Sequence, residues 1–329
     1  MEQKVLRTGA LVVACAIALR LLCGVADSFP AQVGPKIVSF ILFMRTGRMV
    51  RPGNIAFSPP ATEPTVETAP TEPTATEPEL PVFSAQDASA IAITAGFSYS
   101  VDLSELITKP LNWDLTGEEP KVLIVHSHAT ESFLPTQEYE ETTPYHTLDT
   151  EHNMVSVGDL VAKKLEEAGI SVIHDRTLHD EPSYNASYNN SRKSVQDYLA
   201  EYPSICLVLD LHRDSIEDAS GNQVAHTVFS QGTTVAPLML VVGTDHGGLH
   251  HPQWQENLSL ALKLQTQLEG ICPGICRNIN LRTQRFNQDL SPGAMLVEVG
   301  ASGNTRQEAL GAAEVLVRAI VSLAHGSAS

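Results

Sequence analysis

The chain has 329 residues and a formal net charge of −17 at pH 7, from 21 Lys and Arg against 38 Asp and Glu. This length is enough for one or two domains with a substantial core. The acidic balance argues against non-specific nucleic-acid binding, which needs a basic surface, so no nucleic-acid partner is expected. The cysteines show no structural-zinc spacing. Any metal site must therefore be built from His and carboxylate side chains.

A basic N-terminus precedes an apolar run over residues 9–26 that only Arg20 interrupts. The run is near the minimum length for a membrane span. Its basic flank predicts that the chain after it lies outside the cytoplasm. Small residues near its end leave signal-peptidase cleavage after Ala26 as an alternative, but we expect an uncleaved membrane anchor over residues 1–27.

The next segments predict a spacer between this anchor and a folded domain. Residues 28–58 form a juxtamembrane segment whose apolar patch, residues 37–44, is too short to span a membrane. Either a membrane-surface helix or an unfolded piece accounts for this patch. Residues 59–81 form a Thr/Glu/Pro tract that lacks the apolar side chains needed to fold, and proline and like charges keep it extended. The working domain is predicted over residues 82–329.

Within this domain, apolar runs typical of buried strands alternate with segments of helical periodicity. Alternation at short spacing predicts an α/β fold with a mostly parallel central sheet flanked by helices. The predicted strands are residues 122–125, 170–173, 205–211, 238–242 and 294–299, and the predicted helices are residues 153–168, 191–202, 257–270 and 306–324.

The first strand is followed by the sequence HSHATE, which places His126, His128 and Glu131 at its C-terminal end. In open α/β sheets this end is where ligands bind. Strand alternation predicts that the two histidines share a face. Two imidazoles and a carboxylate suit a borderline divalent cation such as zinc. A polar strand end with partly exposed histidines explains the stretch equally well.

Two further strands carry polar groups at comparable places. His212 ends a largely apolar strand, and Glu298 lies inside the apolar run AMLVEVG. An unpaired carboxylate there is costly, and burial near a cation would tune it toward acid–base chemistry. The alternatives are a salt bridge of Glu298 with Arg213 and a hydrogen-bonded strand-end His212. The histidines of TDHGGLHHP are expected to lie in a solvated loop.

Several motifs then occur in a fixed order between about residues 121 and 325: VLIVHSHATESF, HNMVSVGDLVAKKLEEAGISVIHD, LVLDLHRDS, a VVGTDH loop and helix, and RFNQDLSPGAMLVEVGASGNTRQEAL. Together they closely resemble the stage II sporulation protein P family, which also has an N-terminal anchor and a variable linker. The resemblance implies a membrane-anchored peptidoglycan hydrolase of endospore formers, acting between the mother-cell and forespore membranes.

The same resemblance implies cleavage of the N-acetylmuramoyl–L-alanine amide bond and D,D-endopeptidase activity on peptide crosslinks. Peptidoglycan is then the substrate. The membrane is contacted through the N-terminal helix, and the expected protein partners are other engulfment proteins, namely a lytic transglycosylase and a membrane scaffold.

The last motif is also similar to the zinc-dependent N-acetylmuramoyl-L-alanine amidases, in which a strand-end His, a Glu and a second His hold zinc. This similarity implies His128 as the first histidine, with His126 as its rival, and His212 as the second. The zinc glutamate is Glu131, within the sporulation family's own motif, or Glu151, just before a helix; Glu131 is preferred.

In those amidases a late glutamate is catalytic, which implies Glu298 here. Arg213 and Arg285 are expected to bind substrate carboxylates, and a bidentate clamp by Arg213 is one form of this contact. The main alternative is a catalytically weak wall-binding or scaffold protein of an engulfment complex. The two functions differ in whether His128, His212 and Glu298 converge on a metal. A zinc peptidase acting on proteins is a further alternative, but the sequence lacks the HExxH helix that such enzymes commonly use.

Overall fold

The computed structural model describes residues 80–325 except Asn112 and Gln231. They belong to one compact unit, Ala75–Ser329. The predicted anchor and juxtamembrane segment lie outside the described residues, as does all but the end of the predicted linker, so these boundaries stay predictions. Across residues 80–325 as described, none of the helices combines the length and hydropathy of a membrane span.

Strands and helices alternate along the chain, as their sequence patterns predict. The strands are β1 Ile93–Ala95, β2 Val122–Val125, β3 Val172–His174, β4 Leu207–Asp214, β5 Val228–Ser230, β6 Thr233–Val235, β7 Leu238–Gly243, β8 Ile279–Arg282 and β9 Ala294–Ala301. The helices are α1 Ala85–Ala90, α2 Leu103–Thr108, α3 Met154–Glu167, α4 Ser187–Glu201, α5 Trp254–Ile271 and α6 Arg306–His325.

The main sheet has seven strands in the order β1-β8-β7-β9-β4-β2-β3. All neighbouring pairs are parallel except β7 and β9, which are antiparallel. Strands β5 and β6 form a separate antiparallel hairpin. The predicted α/β fold with a mostly parallel sheet is confirmed. The antiparallel junction was not predicted, because the apolar runs carry no signal of strand direction.

The helices cover both faces of this sheet. On one face, Val122 and Ile124 pack in a large core with residues of α3, α5 and α6. On the other face, Leu123 and Val125 pack in a smaller core with Val195 of α4. Burial on both faces explains why β2 is a continuous apolar run rather than an alternating one.

Helix α3 shows how local sequence sets an element's ends. The side chain of Asn153 accepts a hydrogen bond from the Val155 N–H at 3.0 Å and caps the start of the helix. Gly169 follows the end of the helix with φ 82°, a left-handed conformation in which glycine is favoured. The predicted helix over residues 153–168 therefore matches Met154–Glu167 closely.

Candidate metal centre

Three neighbouring parallel strands, β9, β4 and β2, bring the candidate site residues to one edge of the sheet. His212 on β4 lies opposite Glu298 on β9 in the strand register. Strand β2 ends at Val125, and the loop that follows it carries His128 and Glu131. Because parallel strands have their carboxyl ends at the same edge, these side chains meet there although they are distant in sequence.

One ligand atom each from His128, Glu131 and His212 lie within 4.8 Å of one another. We call these three residues the metal group. The Nδ1 atom of His128 is 3.5 Å from Oε1 of Glu131, and Nδ1 of His212 is 3.5 Å from Oε2 of the same carboxylate. Glu131 and His212 are buried, whereas the His128 side chain is 13% exposed. The group is thus open to solvent on the His128 side.

The electrostatics of the metal group favour positive charge. Burial by itself raises the pKa of Glu131, but the Arg213 guanidinium and the hydrogen bonds from His128 and His212 together hold that pKa well below its usual range. Burial by itself lowers the pKa of His212, but the carboxylates of Asp210 and Glu131 hold it well above its usual range. Two imidazoles and one ionised carboxylate around an open position form the donor set of a catalytic zinc site, so the residues fit zinc.

The carboxylate of Asp210, which is outside the metal group, lies against His212. Oδ1 of Asp210 is 2.9 Å from Nε2 of His212. That nitrogen has no hydrogen-bond partner of acceptable geometry, so the contact is electrostatic rather than a linear hydrogen bond. Asp210 also accepts hydrogen bonds from the Ser127 N–H at 2.8 Å and the Ser127 hydroxyl at 2.6 Å. These contacts hold Asp210 on the side of the imidazole that faces away from Glu131.

Glu298 is a half-buried residue beside the metal group, and its Oε2 atom is buried. Its Oε2 has no hydrogen-bond partner among the described residues. Burial raises the pKa of Glu298 to about 8; His212 opposes this shift and the negative charge of Glu131 adds to it. The predicted alternative, a salt bridge with Arg213, is not formed, because Arg213 instead lies 3.8 Å from Glu131. A carboxyl with a pKa near neutrality suits acid–base chemistry.

His126 lies outside the metal group. Its Nδ1 is 2.9 Å from the carbonyl oxygen of Leu211, and its Nε2 is 2.8 Å from Nε2 of His174. Burial and the neighbouring His174 lower the pKa of His126 to about 3. Helix α3 approaches this pair closely at Gly158, where a Cβ atom would lie 2.4 Å from His174 Nε2. Strand alternation does not extend beyond Val125, so the expected shared face of His126 and His128 is not formed.

The structure places the other candidate residues apart from the metal group as well. Glu151 is exposed, and its N–H bonds to Asp149 at 2.9 Å. The buried His251 contrasts with the expected solvated loop. Arg285 bonds weakly to Asp289 at 3.3 Å and to the His250 carbonyl at 3.4 Å. A contact of Arg285 with substrate stays a prediction.

Arg213 holds the loop that carries Glu131. Its guanidinium is buried and donates to the carbonyls of Ser132 at 2.9 Å and Tyr145 at 2.8 Å. The Arg213 N–H also bonds to Oε2 of Glu131 at 3.2 Å. These donors are already used within the protein, and a contact of Arg213 with a substrate carboxylate stays a prediction.

Two tyrosines that sequence reasoning did not single out form a wall beside the metal group. The Tyr184 ring stacks on His128 with centroids 4.2 Å apart and planes at 17°. The Tyr188 ring lies edge-to-face with His128, with ring centroids 5.4 Å apart, and nearly parallel to His212, with centroids 6.3 Å apart. The centroid of the Phe286 ring lies 5.7 Å from that of Tyr188. The signal for this wall was the pair of tyrosines four positions apart in SYNASYNN, a spacing that shares one helix face.

Among solved structures, three N-acetylmuramoyl-L-alanine amidases show a distant likeness to the chain. AmiC2 of Nostoc punctiforme is 14% identical with a TM-score of 0.37, covering 63% of this chain and 97% of that one. Ami1 from Mycobacterium abscessus is 12% identical with a TM-score of 0.38, covering 63% and 99%. The amidase from Clostridium difficile 630 is 14% identical with a TM-score of 0.37, covering 62% and 97%. Similarity at this level carries no conclusion about activity.

At the level of sequence, the relationship is much closer. Stage II sporulation protein P of Bacillus subtilis (strain 168) is 30% identical over 204 residues, which cover 59% of this chain and 48% of that protein. The match therefore spans about half the length of this curated relative. The family model for stage II sporulation protein P (SpoIIP) matches residues 59–321. Because that match covers most of the chain, the chain belongs to the stage II sporulation protein P family.

Proposed function

We propose that the chain is a zinc-dependent peptidoglycan hydrolase of sporulation that cleaves the N-acetylmuramoyl–L-alanine amide bond. The observation that carries this proposal is the metal group, with Glu298 on the adjacent strand, whose Oε2 has no hydrogen-bond partner among the described residues. Family membership supports the role in sporulation. The similarity of the last motif to zinc amidases supports the choice of bond.

His128, Glu131 and His212 would hold the zinc ion, since they supply the nitrogen and oxygen donors that zinc takes in catalytic sites. When bound, zinc supplies Lewis acidity, which makes water a nucleophile at neutral pH and polarises a carbonyl group. Asp210 orients His212 from the far side of its ring, and Arg213 fixes the loop that carries Glu131.

Glu298 moves the proton in the proposed reaction. Its carboxylate takes a proton from the attacking water while the water oxygen bonds to the lactyl carbonyl carbon. The same proton then passes to the nitrogen of L-alanine as the carbon–nitrogen bond breaks. The second proton of the water stays on the new carboxyl group and leaves to solvent as that group ionises, so the products are a carboxylate on the muramic acid and a free α-amine on the stem peptide. The pKa of about 8 that burial gives Glu298 allows it both to take and to return a proton near neutral pH.

We also propose that an N-terminal anchor over residues 1–27 holds the enzyme at the membrane, with the catalytic domain between the mother-cell and forespore membranes. The apolar run and the Thr/Glu/Pro tract of the sequence support this placement. Peptidoglycan is the proposed substrate, and other engulfment proteins are the proposed partners.

The test is metal analysis of the purified protein combined with mass spectrometry of digested sacculi. We expect one zinc ion per chain, and stem peptides released with a free L-alanine amine from intact glycan strands. A zinc-loaded protein that binds sacculi and releases no such peptide would contradict the amidase proposal. That result would favour the scaffold alternative.

A further inference from the structure

We propose that Tyr184 is a catalytic residue of this site, whose hydroxyl donates a hydrogen bond to the carbonyl oxygen of the scissile amide as that oxygen gains negative charge. The proposal rests on the amidase function and adds a group that the motifs did not indicate. No covalent step is involved, and the phenolic proton stays on Tyr184 throughout.

The position of the hydroxyl carries the proposal. Tyr184 begins the short 3-10 helix Tyr184–Ala186, which leads into α4. Its oxygen lies 3.4 Å from Nδ1 of His128, the same nitrogen that lies 3.5 Å from Glu131. The phenol oxygen is therefore placed directly against a member of the metal group.

Tyr184 also covers the side from which a substrate must approach. Glu131 and His212 are buried, and His128 is the partly exposed member of the metal group. The Tyr184 ring stacks on His128 and is itself 53% exposed. A peptidoglycan strand that reaches the metal group from solvent therefore meets Tyr184 at the entrance.

The hydroxyl has only a weak partner to give up. At 3.4 Å, its bond to His128 is long for a hydrogen bond, so losing it costs little. Because the two rings are stacked with planes at 17°, the hydroxyl lies over the face of the imidazole and not along the in-plane lone pair of Nδ1. That lone pair would stay available to a metal ion, and the hydroxyl would stay available to a substrate oxygen. A donor placed in advance beside a developing oxyanion is among the most effective catalytic devices.

The loop that carries Tyr184 is fixed to the loop that carries Glu131. The carboxylate of Asp180 accepts a hydrogen bond from the Thr130 hydroxyl at 2.6 Å and from the Thr130 N–H at 3.1 Å. Both partners of this contact, Asp180 and Thr130, are buried. Such support gives the hydroxyl a defined place relative to Glu131, as transition-state stabilisation requires.

The test is Tyr184→Phe, which keeps the aromatic ring on His128 and removes only the hydroxyl. With a soluble muramoyl tripeptide as substrate, kcat should fall roughly 10²-fold, as for the loss of one oxyanion donor. KM and the zinc content per chain should stay unchanged. A phosphinic analogue, in which tetrahedral phosphorus replaces the scissile carbonyl carbon, should lose affinity by the same factor as kcat/KM.

Tyr139→Phe is the matched control. Tyr139 stacks on His152 with centroids 4.9 Å apart, and its hydroxyl donates to the Phe133 carbonyl at 3.1 Å. Since His152 is not part of the metal group, this variant should retain the wild-type kcat and the wild-type affinity for the phosphinic analogue.

Three results for Tyr184→Phe would overturn the assignment: a wild-type kcat, a loss of kcat matched by a loss of zinc, or a raised KM with unchanged kcat. Absence of amide cleavage by the zinc-loaded wild-type protein overturns the proposed function together with this inference. Normal cleavage by Tyr184→Phe overturns only the role of the tyrosine.

Discussion

The carboxylate of Asp210 lies 2.9 Å from Nε2 of His212, and the carboxylate of Glu131 lies 3.5 Å from Nδ1 on the other side of the same ring. The imidazole is thus held between two acids with different tasks. Asp210 is fixed by two hydrogen bonds from Ser127 and leaves Nδ1 directed at Glu131. In metal sites, such outer carboxylates orient the ligand histidine and raise its basicity.

Asp210→Asn should lower the zinc affinity of the protein by roughly 10–100-fold, as expected for a partner of a ligand histidine. The amide keeps the size of the side chain but removes the negative charge beside His212. Competition with a chromogenic chelator measures the affinity directly, without reference to turnover. An affinity equal to that of the wild type would remove Asp210 from any role at the metal.

The control for this variant is Asp175→Asn. Asp175 lies 3.0 Å from Nε2 of a second buried histidine, His179, and accepts a hydrogen bond from Ser194 at 2.5 Å. It is likewise a buried carboxylate beside a buried histidine, outside the metal group. Asp175→Asn should lower the melting temperature about as much as Asp210→Asn does, while leaving the zinc affinity at the wild-type value.

His128→Ala should abolish zinc binding, because a site of three ligands that loses one imidazole retains only two. His126→Ala should keep the wild-type zinc content per folded chain, because both nitrogens of His126 contact groups outside the metal group. The effect of His126→Ala should be a lower melting temperature, since Nε2 of His174 and the Leu211 carbonyl each lose a hydrogen-bond partner. Zinc analysis and thermal unfolding on the same preparations distinguish the two histidines, and the reverse pattern would move the site to His126.

Glu298→Gln should retain zinc and the wild-type melting temperature while turnover falls roughly 10²–10⁴-fold, the loss expected without acid–base catalysis. The amide preserves the volume of the side chain, so binding to the cell wall should persist. Zinc content, melting temperature and amide cleavage are measured together. If zinc is lost along with activity, Glu298 is a ligand. If only stability falls, its role is structural.

Lys263 predicts a pH dependence of stability that is independent of the metal. Its side chain is buried, and Nζ donates to the Ser259 hydroxyl at 2.7 Å and the Leu106 carbonyl at 3.1 Å. Burial lowers the pKa of Lys263 to about 8, and the charge of Lys109 adds to this shift. The unfolded chain has a lysine pKa of about 10.4. At pH values between these two pKa values, Lys263 takes up a proton when the chain unfolds. The free energy of unfolding should therefore rise with pH from about 8 to about 10.4, by at most about 1.4 kcal/mol per pH unit.

Lys263→Met should be more stable than the wild type at pH 7, and this advantage should shrink as the pH rises through 8 toward 10. The Leu106 carbonyl keeps the hydrogen bond from Ser259, at 2.7 Å, so the substitution leaves that group satisfied. Urea unfolding at several pH values gives the free energies. Lys163→Met, at a side chain that is 70% exposed, should show no comparable pH dependence relative to the wild type. A constant difference between Lys263→Met and wild type would contradict the prediction.

Local sequence determined the elements and the kinds of donor in this protein. The apolar run Val122–Val125 became a strand buried on both faces, and the helix predicted over residues 153–168 became α3, with Asn153 and Gly169 at its ends. The absence of a cysteine cluster left His and carboxylate as the candidate metal donors. The inferences about strands and helices succeed because periodicity and capping depend on residues that are neighbours in the chain.

Tertiary structure alone decided which of these residues meet. His126 and His128 are equally good ligands by type, but the strand ends at Val125, and only His128 reaches Glu131 and His212. The wall formed by Tyr184 comes from a loop held by Asp180. The antiparallel pairing of β7 with β9 carries no local signal either. The physical reason is common to all of them: the contacts join segments that are far apart in sequence, and their geometry is set by the packing of the whole sheet and its loops rather than by the residues next to them.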